Sequence, residues 1–410
     1  MQLWQRNSYL LWLAVFITSA CWSMVMPFMP VFLAQELGVT SGVATWAGAL
    51  GAVNAAGMMI MSPIWGALGD RVGRKAMMLR AGGFLSLAYA LMSLVQGPWQ
   101  LLGVRVMIGM LTGFIPTATA LVGTTTPQEY VGRTLAMVAT ASPTGTILGP
   151  MLGGLLADLF GMRMTMASGA VLTGTATLLV LVGVKEQFTP QRGEGFHPVR
   201  DLTDVLRLPS FGAIIMITLL FNAAVTLLDP MLVPFIASIL GKGSANWLAG
   251  LLYALPGIAF LLASGRWARV GEGWGYRLTV TAGMALAALF SLSQTMAGNG
   301  WVFGGMRFGA GLMLAAVTPG VFALIAQVVP LELRGRAYGI NTSANSLGGA
   351  VGPLLGGAVA TGLGPRPVFV VAALLLAAGA VWTWRQVAPH SAESALWAWR
   401  NWRRASRHSG

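Results

Sequence analysis

Residues 149–154 read G-P-M-L-G-G, and residues 352–357 read G-P-L-L-G-G. The offset of 203 between them is kept by the segments just before, P-Q-E-Y-V-G-R at 127–133 and P-L-E-L-R-G-R at 330–336. Gly161 and Arg163 repeat as Gly364 and Arg366, and Pro27 finds Pro230. Between residues 69 and 105 the offset is 202: Trp99 and Trp301, Arg105 and Arg307, Gly69-Asp70 and Gly271-Glu272. Self-similarity at half the length of a 410-residue chain means two copies of one unit.

Each copy is made of apolar runs of about 20 residues, enough to cross a hydrocarbon core of ~30 Å as helix. The chain is 56% hydrophobic and 9% charged, with a mean hydropathy of +0.71, whereas a soluble domain is about a quarter charged. Backbone in lipid must satisfy its own hydrogen bonds, so the runs are helices and the fold class is an all-α membrane protein. Twelve spans are expected, roughly 9–34, 45–67, 76–96, 100–124, 134–158, 164–184, 210–238, 247–267, 278–297, 301–326, 337–361 and 367–386. Six spans separate equivalent points, so the two six-helix bundles share one orientation and are related by a pseudo-two-fold along the membrane normal. The expected domains are residues 1–184, a polar linker at 185–209, residues 210–386 and a basic tail at 387–410.

The charges set the orientation. With the N-terminus cytoplasmic, 20 of the 25 Lys and Arg residues fall inside and three (Arg163, Lys242 and Arg366) outside; Arg105 and Arg307 lie within spans. This is the positive-inside pattern, with both termini cytoplasmic. The net charge of +13 is therefore topological, read toward anionic lipid headgroups and not toward nucleic acid. The first run is too long for a signal peptide's apolar core and has no small-residue cleavage site. Cys21 is the single cysteine. His197, His390 and His408 fall in loops or tail, so no metal site and no cofactor are expected. No Ser/His/Asp or Cys/His set suggests an enzyme, and the lack of G-x-x-x-x-G-K-[ST] excludes an ATP-driven pump on this chain. The tail segment L-W-A-W-R-N-W-R-R at 396–404 suits an interfacial helix or a disordered basic tail.

Three segments carry finer patterns. G-A-L-G-D-R-V-G-R-K at 66–75 sets Gly66, Gly69 and Gly73 around Asp70, Arg71, Arg74 and Lys75, where the second span meets the next turn. G-T-I-L-G-P-M-L-G-G at 145–154 lays a stripe of small residues, Ala141, Gly145, Gly149, Gly153 and Ala157, along one face of the fifth span, with Pro150 and Gly154 beside it. Such a stripe permits close helix packing. In the fourth span Arg105, Gly109, Gly113 and Thr117 share a face, and an intramembrane arginine costs roughly 2.5–3.5 kcal/mol on insertion scales, so it should face the interior.

Together these segments resemble the major facilitator superfamily, over essentially the whole chain from Arg6 to Arg385. The first looks like its motif A, and the Arg105 segment like its motif B, implicated in proton transfer. The segment at 145–154, G-x-x-x-G-P-x-x-G-G, resembles motif C of the drug:proton antiporters. With S-M-V-M-P-F-M-P at 23–30, the set is most similar to the twelve-span drug:proton antiporter branch of multidrug exporters. The resemblance implies the major facilitator fold, alternating access, export of small, largely apolar compounds in exchange for protons, and a bacterial inner-membrane location. In that picture residues 66–75 form a cytoplasmic latch, and Gly145, Gly149, Pro150, Gly153 and Gly154 help to close the outer side. The alternatives are a transporter of one metabolite, such as a sugar or siderophore, and a transport-inactive receptor or scaffold. Some members of the branch carry an acid near the position of Met26, and this chain has none there.

The acid stands instead at the repeat partner of Met26. Asp229 is the only carboxylate deep in a span; Glu36 and Asp158 lie at outer ends and the others are cytoplasmic. Read as one helix, span seven puts Asn222, Thr226 and Asp229 on one face. Asp229 is expected to carry the coupling proton, with Arg105 or Arg307 modulating it from nearly the same depth; a structural pair with either arginine is the alternative. Candidate cavity residues are Met26, Phe28, Asn54, Phe114, Asn222, Thr226, Tyr253, Phe308, Asn341 and Asn345, the polar ones equally suited to interhelical hydrogen bonds. The expected partners are a small-molecule substrate, protons and membrane lipids, and the expected state is a monomer.

Overall fold

The computed structural model describes residues 2–387 except 112, 128, 187–207, 209, 242–244 and 331–332. The side chains of Pro63, Gly66, Ala67, Asp70, Thr124, Gly132, Ala136, Gly335 and Arg336 are also outside the description. Among the described residues twelve helical spans are long and apolar enough to cross a bilayer. In chain order they are Leu3–Gln35, Val43–Ser62, Arg74–Leu94, Pro98–Gly123, Arg133–Phe160, Met162–Gly183, Phe211–Leu240, Asn246–Trp274, Tyr276–Met296, Gly300–Val328, Ala337–Leu363 and Arg366–Gln386. Many large apolar side chains point outward, Val182 at 75% exposure and Leu374 at 63% among them. Such a surface fits a hydrocarbon solvent, where helices satisfy their backbone internally. The expected linker and tail lie almost wholly outside the described residues.

Span five breaks at Thr140, and four further spans break at positions that follow the repeat. Span one runs as helix Leu3–Val25, a 3-10 turn Met26–Phe28 and helix Met29–Gln35. Span seven runs as Phe211–Thr226 and Asp229–Leu240. Pro27, Pro30 and Pro230 sit in the first positions of the pieces they open, where a fixed φ helps and the missing N–H costs nothing. Span four divides at Gly113, whose φ of 130° suits glycine, and span ten divides at Ala315 and Ala316. The continuous helix expected for span seven is thus corrected. Leu227 and Leu228 form a turn, and Asp229 is the first residue of a new helical piece rather than part of a single helical face with Asn222 and Thr226.

Contacts divide the chain into two compact units. The first contains the six N-terminal spans together with Asp229–Gly257 and Pro353–Pro365. The second contains the first piece of span seven, residues 258–352 and span twelve. Packing therefore groups one end of spans seven, eight and eleven with the N-terminal half, across the sequence repeat. That end lies opposite the N-terminus and is called the far end below. Within the first unit span one packs along span five, span three along span six, and span two along span four. Leu11, Val15, Met78, Phe114, Leu121 and Val180 fill the core between them. In the second unit span nine packs on spans ten and twelve, and span seven on span twelve, around Phe211, Ile214, Met284, Val317 and Leu376.

Candidate functional site

Glycine decides how closely the spans approach. A Cβ added at Gly145 would lie 2.5 Å from the Phe16 carbonyl oxygen, at Gly149 2.5 Å from that of Ala20, and at Gly153 2.1 Å from that of Met24. The small stripe of span five is therefore pressed backbone to backbone on span one. Its repeat copy does the same in the second unit: Gly348 faces the Leu219 carbonyl at 2.7 Å and Gly352 that of Ala223 at 2.6 Å. Only a hydrogen fits in these gaps, and Cα–H···O contacts replace side-chain packing.

The neighbouring face of span five makes a second joint, with span eight. A Cβ on Gly250 would fall 2.1 Å from the Pro150 carbonyl oxygen, and one on Gly154 2.4 Å from that of Asn246. The repeat supplies a matching joint between spans two and eleven. There a Cβ on Gly48 would meet the Pro353 carbonyl at 2.2 Å, and one on Gly357 that of Ala44 at 2.4 Å. Each joint carries a polar clasp at its far end. The Asp158 carboxylate accepts from the backbone N–H groups of Asn246 and Trp247, both at 3.0 Å, and from the Asn246 amide at 2.7 Å. It thus caps the start of span eight, where unpaired N–H groups and the helix dipole favour an anion. The matching clasp is neutral, Thr45 to Thr361 at 2.9 Å. Nearby, Glu36 pairs with Arg163 at 3.1 Å.

Asp229 opens the second piece of span seven, half-buried, and its Oδ1 accepts from the Tyr253 hydroxyl at 2.8 Å. Arg105 is 1% exposed. Its guanidinium faces the Trp22 ring at 5.6 Å, and its Nε and Nη2 have no hydrogen-bond partner among the described residues. Water or an anion would satisfy such a group. Arg307 is also buried. Met26 begins the turn in span one and is half-buried. Phe28 and Phe114, expected at a cavity wall, are 2% and 3% exposed, and Phe114 belongs to the packed core of the first unit. Asn54 is buried against Gly109, where a Cβ would meet its carbonyl oxygen at 2.5 Å, so this stretch joins spans two and four. Phe308 is half-buried on span ten.

The second unit gathers a polar group that sequence reading named only in part. Thr218 donates to Asn341 Oδ1 at 2.6 Å, and the Asn222 amide donates to Asn345. Thr218, Asn341 and Asn345 line a cavity of about 110 Å³ with Phe221, Val321 and Phe322. Thr226 donates to the Asn222 carbonyl at 2.8 Å and packs on Gly352.

At the other end of the first unit, span two turns into span three through Gly73, φ 102°, whose N–H returns to the Gly69 carbonyl at 3.0 Å. The start of span three is capped by a residue no motif flagged. The Glu186 carboxylate accepts from the N–H groups of Arg74, at 3.0 Å, and Lys75, at 2.8 Å. The Lys75 ammonium donates to the Leu181 carbonyl at 2.8 Å. Arg71 is exposed, and the side chains of Gly66 and Asp70 lie outside the described residues. Gly69, Arg74, Trp65 and Met58 line a second cavity of about 170 Å³, and the Arg80 guanidinium stacks on Trp65 at 3.4 Å.

A family model described as Major Facilitator Superfamily matches residues 11–268 and 214–409. The multidrug resistance protein MdtG of Serratia proteamaculans is 33% identical over 385 residues, covering 93% of each chain. That of Enterobacter lignolyticus is 32% identical over 384 residues, covering 93% of this chain and 92% of its own. Among solved structures, the nucleoside transporter NupG superposes with a TM-score of 0.79 at 12% identity, and the human organic anion transporter MFSD10 with 0.68 at 18%. Each superposition covers 93% of this chain and 100% of the other, and carries the fold alone. Twelve spans and bacterial relatives of this kind make the chain a multi-pass inner-membrane protein.

Proposed function

The chain belongs to the Major Facilitator Superfamily, and we propose that it is a proton-coupled antiporter that exports small, largely apolar compounds by alternating access. The likeness to multidrug resistance proteins over nearly the full length supports the substrate class. One observation carries the coupling. Among the described residues Asp229 is the one acid placed inside a span away from its ends, and it sits at a helix break, hydrogen-bonded, beside the far-end joints. A lone intramembrane carboxylate marks a proton path, since the membrane penalises a charge with no task there.

In this reading the N-terminus is cytoplasmic, so the far end faces the periplasm and its two glycine joints close that side. Opening would part spans five and eight, and spans two and eleven, while the stripes of spans five and eleven, pressed against spans one and seven, keep each half rigid. Residues 66–75, anchored through Glu186 to the end of span six, act as the cytoplasmic latch. Arg105 and Arg307 tune the proton site. The protein works as a monomer, with its basic cytoplasmic face against anionic lipid.

The test is uptake into inverted vesicles under an imposed pH gradient, with a panel of small, largely apolar dyes. Asp229→Asn should abolish accumulation against a gradient and leave downhill exchange. Full proton-driven accumulation in that variant would move the role elsewhere. The hydrogen-bonding cluster Thr218, Asn222, Asn341 and Asn345 favours a second reading, a single metabolite held by its polar groups. A growth-inhibition panel in an efflux-deficient bacterium separates the two.

A further inference from the structure

Span eight presents Gly250, Tyr253 and Gly257 along one face, at spacings of three and four. Both glycines seat on the motif C segment of span five. A Cβ on Gly250 would fall 2.1 Å from the Pro150 carbonyl oxygen, and one on Gly257 2.7 Å from Ile147 Cγ1. Contacts this close allow almost no rotation or sliding of span eight while the joint is shut. Tyr253, between them, then has its phenol aimed by its helix, and that phenol donates to Asp229 Oδ1 at 2.8 Å.

We infer that Tyr253 is a positioning residue that links the proton carrier to the far-end joint: seating of span eight on span five sets the hydrogen bond that holds the Asp229 carboxylate. The inference rests on the reading of Asp229 as the proton carrier and adds the part that senses closure. The surroundings leave the role to few groups. The second piece of span seven packs on the turn and short helix of span one and on span two. Between Met26 and Ser62 those segments hold one ionisable side chain, Glu36, which is paired with Arg163. Between Asn246 and Ser264 span eight holds Tyr253 alone. Arg105 and Arg307, on spans four and ten, are further intramembrane charges. A phenol suits the task because it donates to a carboxylate yet stays neutral itself, so the link costs no second buried charge.

The experiment is infrared difference spectroscopy of the full-length protein in lipid nanodiscs, titrated with pH, which reads the protonated carboxyl band without any substrate. Wild type should show a band that Asp229→Asn removes. Tyr253→Phe, which deletes one hydroxyl, should change its frequency and move its midpoint by about one pH unit. Gly250→Ala, which forces the joint apart, should alter the band in the same way, and so should Gly257→Ala if the first variant does not fold. Gly265→Ala, on the same helix with nothing within 4 Å of the added carbon, should leave it untouched. If Asp229→Asn removes no band, the carrier assignment fails. If it removes the band and Tyr253→Phe leaves frequency and midpoint unchanged, the carrier stands and this inference is overturned. A response to Tyr253→Phe with none to either joint variant overturns the link to closure.

Discussion

Replacing Asp158 by alanine should open the far end, the periplasmic side in the proposed orientation, without unfolding the protein. The carboxylate accepts three hydrogen bonds, two of them from backbone N–H groups in the first turn of span eight. Loss of such a cap costs about 1 kcal/mol, and the lost interaction with the helix dipole adds about 0.3 kcal/mol at this exposed position. The capping group and the capped helix belong to different sequence halves, so the cost falls only on the state in which the far ends meet. The closed-to-open ratio should therefore drop about five- to tenfold. The seal should weaken rather than vanish, because the Thr45–Thr361 clasp and the glycine contacts at Pro150 and Pro353 stay in place. The assay replaces Cys21, which is buried, by serine and places a reporter cysteine at Ala249, 3% exposed near the start of span eight. Labelling by a membrane-impermeant maleimide from the periplasmic face should speed up about five- to tenfold on Asp158→Ala. An unchanged labelling rate in a folded variant would refute the assignment of this clasp to a state-dependent seal.

Gly149→Leu should destabilise by about 3 kcal/mol or more, since overpacking of even tight cores costs about 1–3 kcal/mol and this Cβ would fall 2.0 Å from Ser23 Oγ and 2.5 Å from the Ala20 carbonyl. A lower Tm in detergent checks it, and wild-type stability would deny the close approach. Asp70→Asn should slow transport severalfold at every substrate concentration while equilibrium binding of the same dye stays nearly constant; a large loss of binding with normal saturating transport would place Asp70 at the substrate instead.

The spans were legible because each must supply some 20 apolar residues, and the repeat was legible because packing glycines and prolines recur at fixed offsets. The same glycines told less than they carry. Gly145, Gly149 and Gly153 read as one tight face, and that face does lie on span one. The contact between Pro150 and Gly250 could not be read, because it joins residues 100 apart and depends on which end of the transporter is shut. The breaks were half visible: Pro27 and Pro230 were matched by the repeat, but Gly113 fits an unbroken small-residue face as well as a kink. The miss in span seven follows. Helical periodicity places Asp229 with Asn222 and Thr226 only while the helix continues, and the turn at Leu227–Leu228 ends that register. Asp229 then finds its donor across the bundle, on Tyr253, where no spacing rule points. Glu186 was hidden for the opposite reason. It looked like one more solvated linker charge, yet as the first acid after span six it reaches the exposed N–H groups of span three. Helix starts in both places, Arg74 at one end and Asn246 at the other, are held by a carboxylate from elsewhere in the chain, in or just beyond another span. Hydropathy finds the helices of such a protein, while the anions that cap their ends across span boundaries tie together the parts that must move.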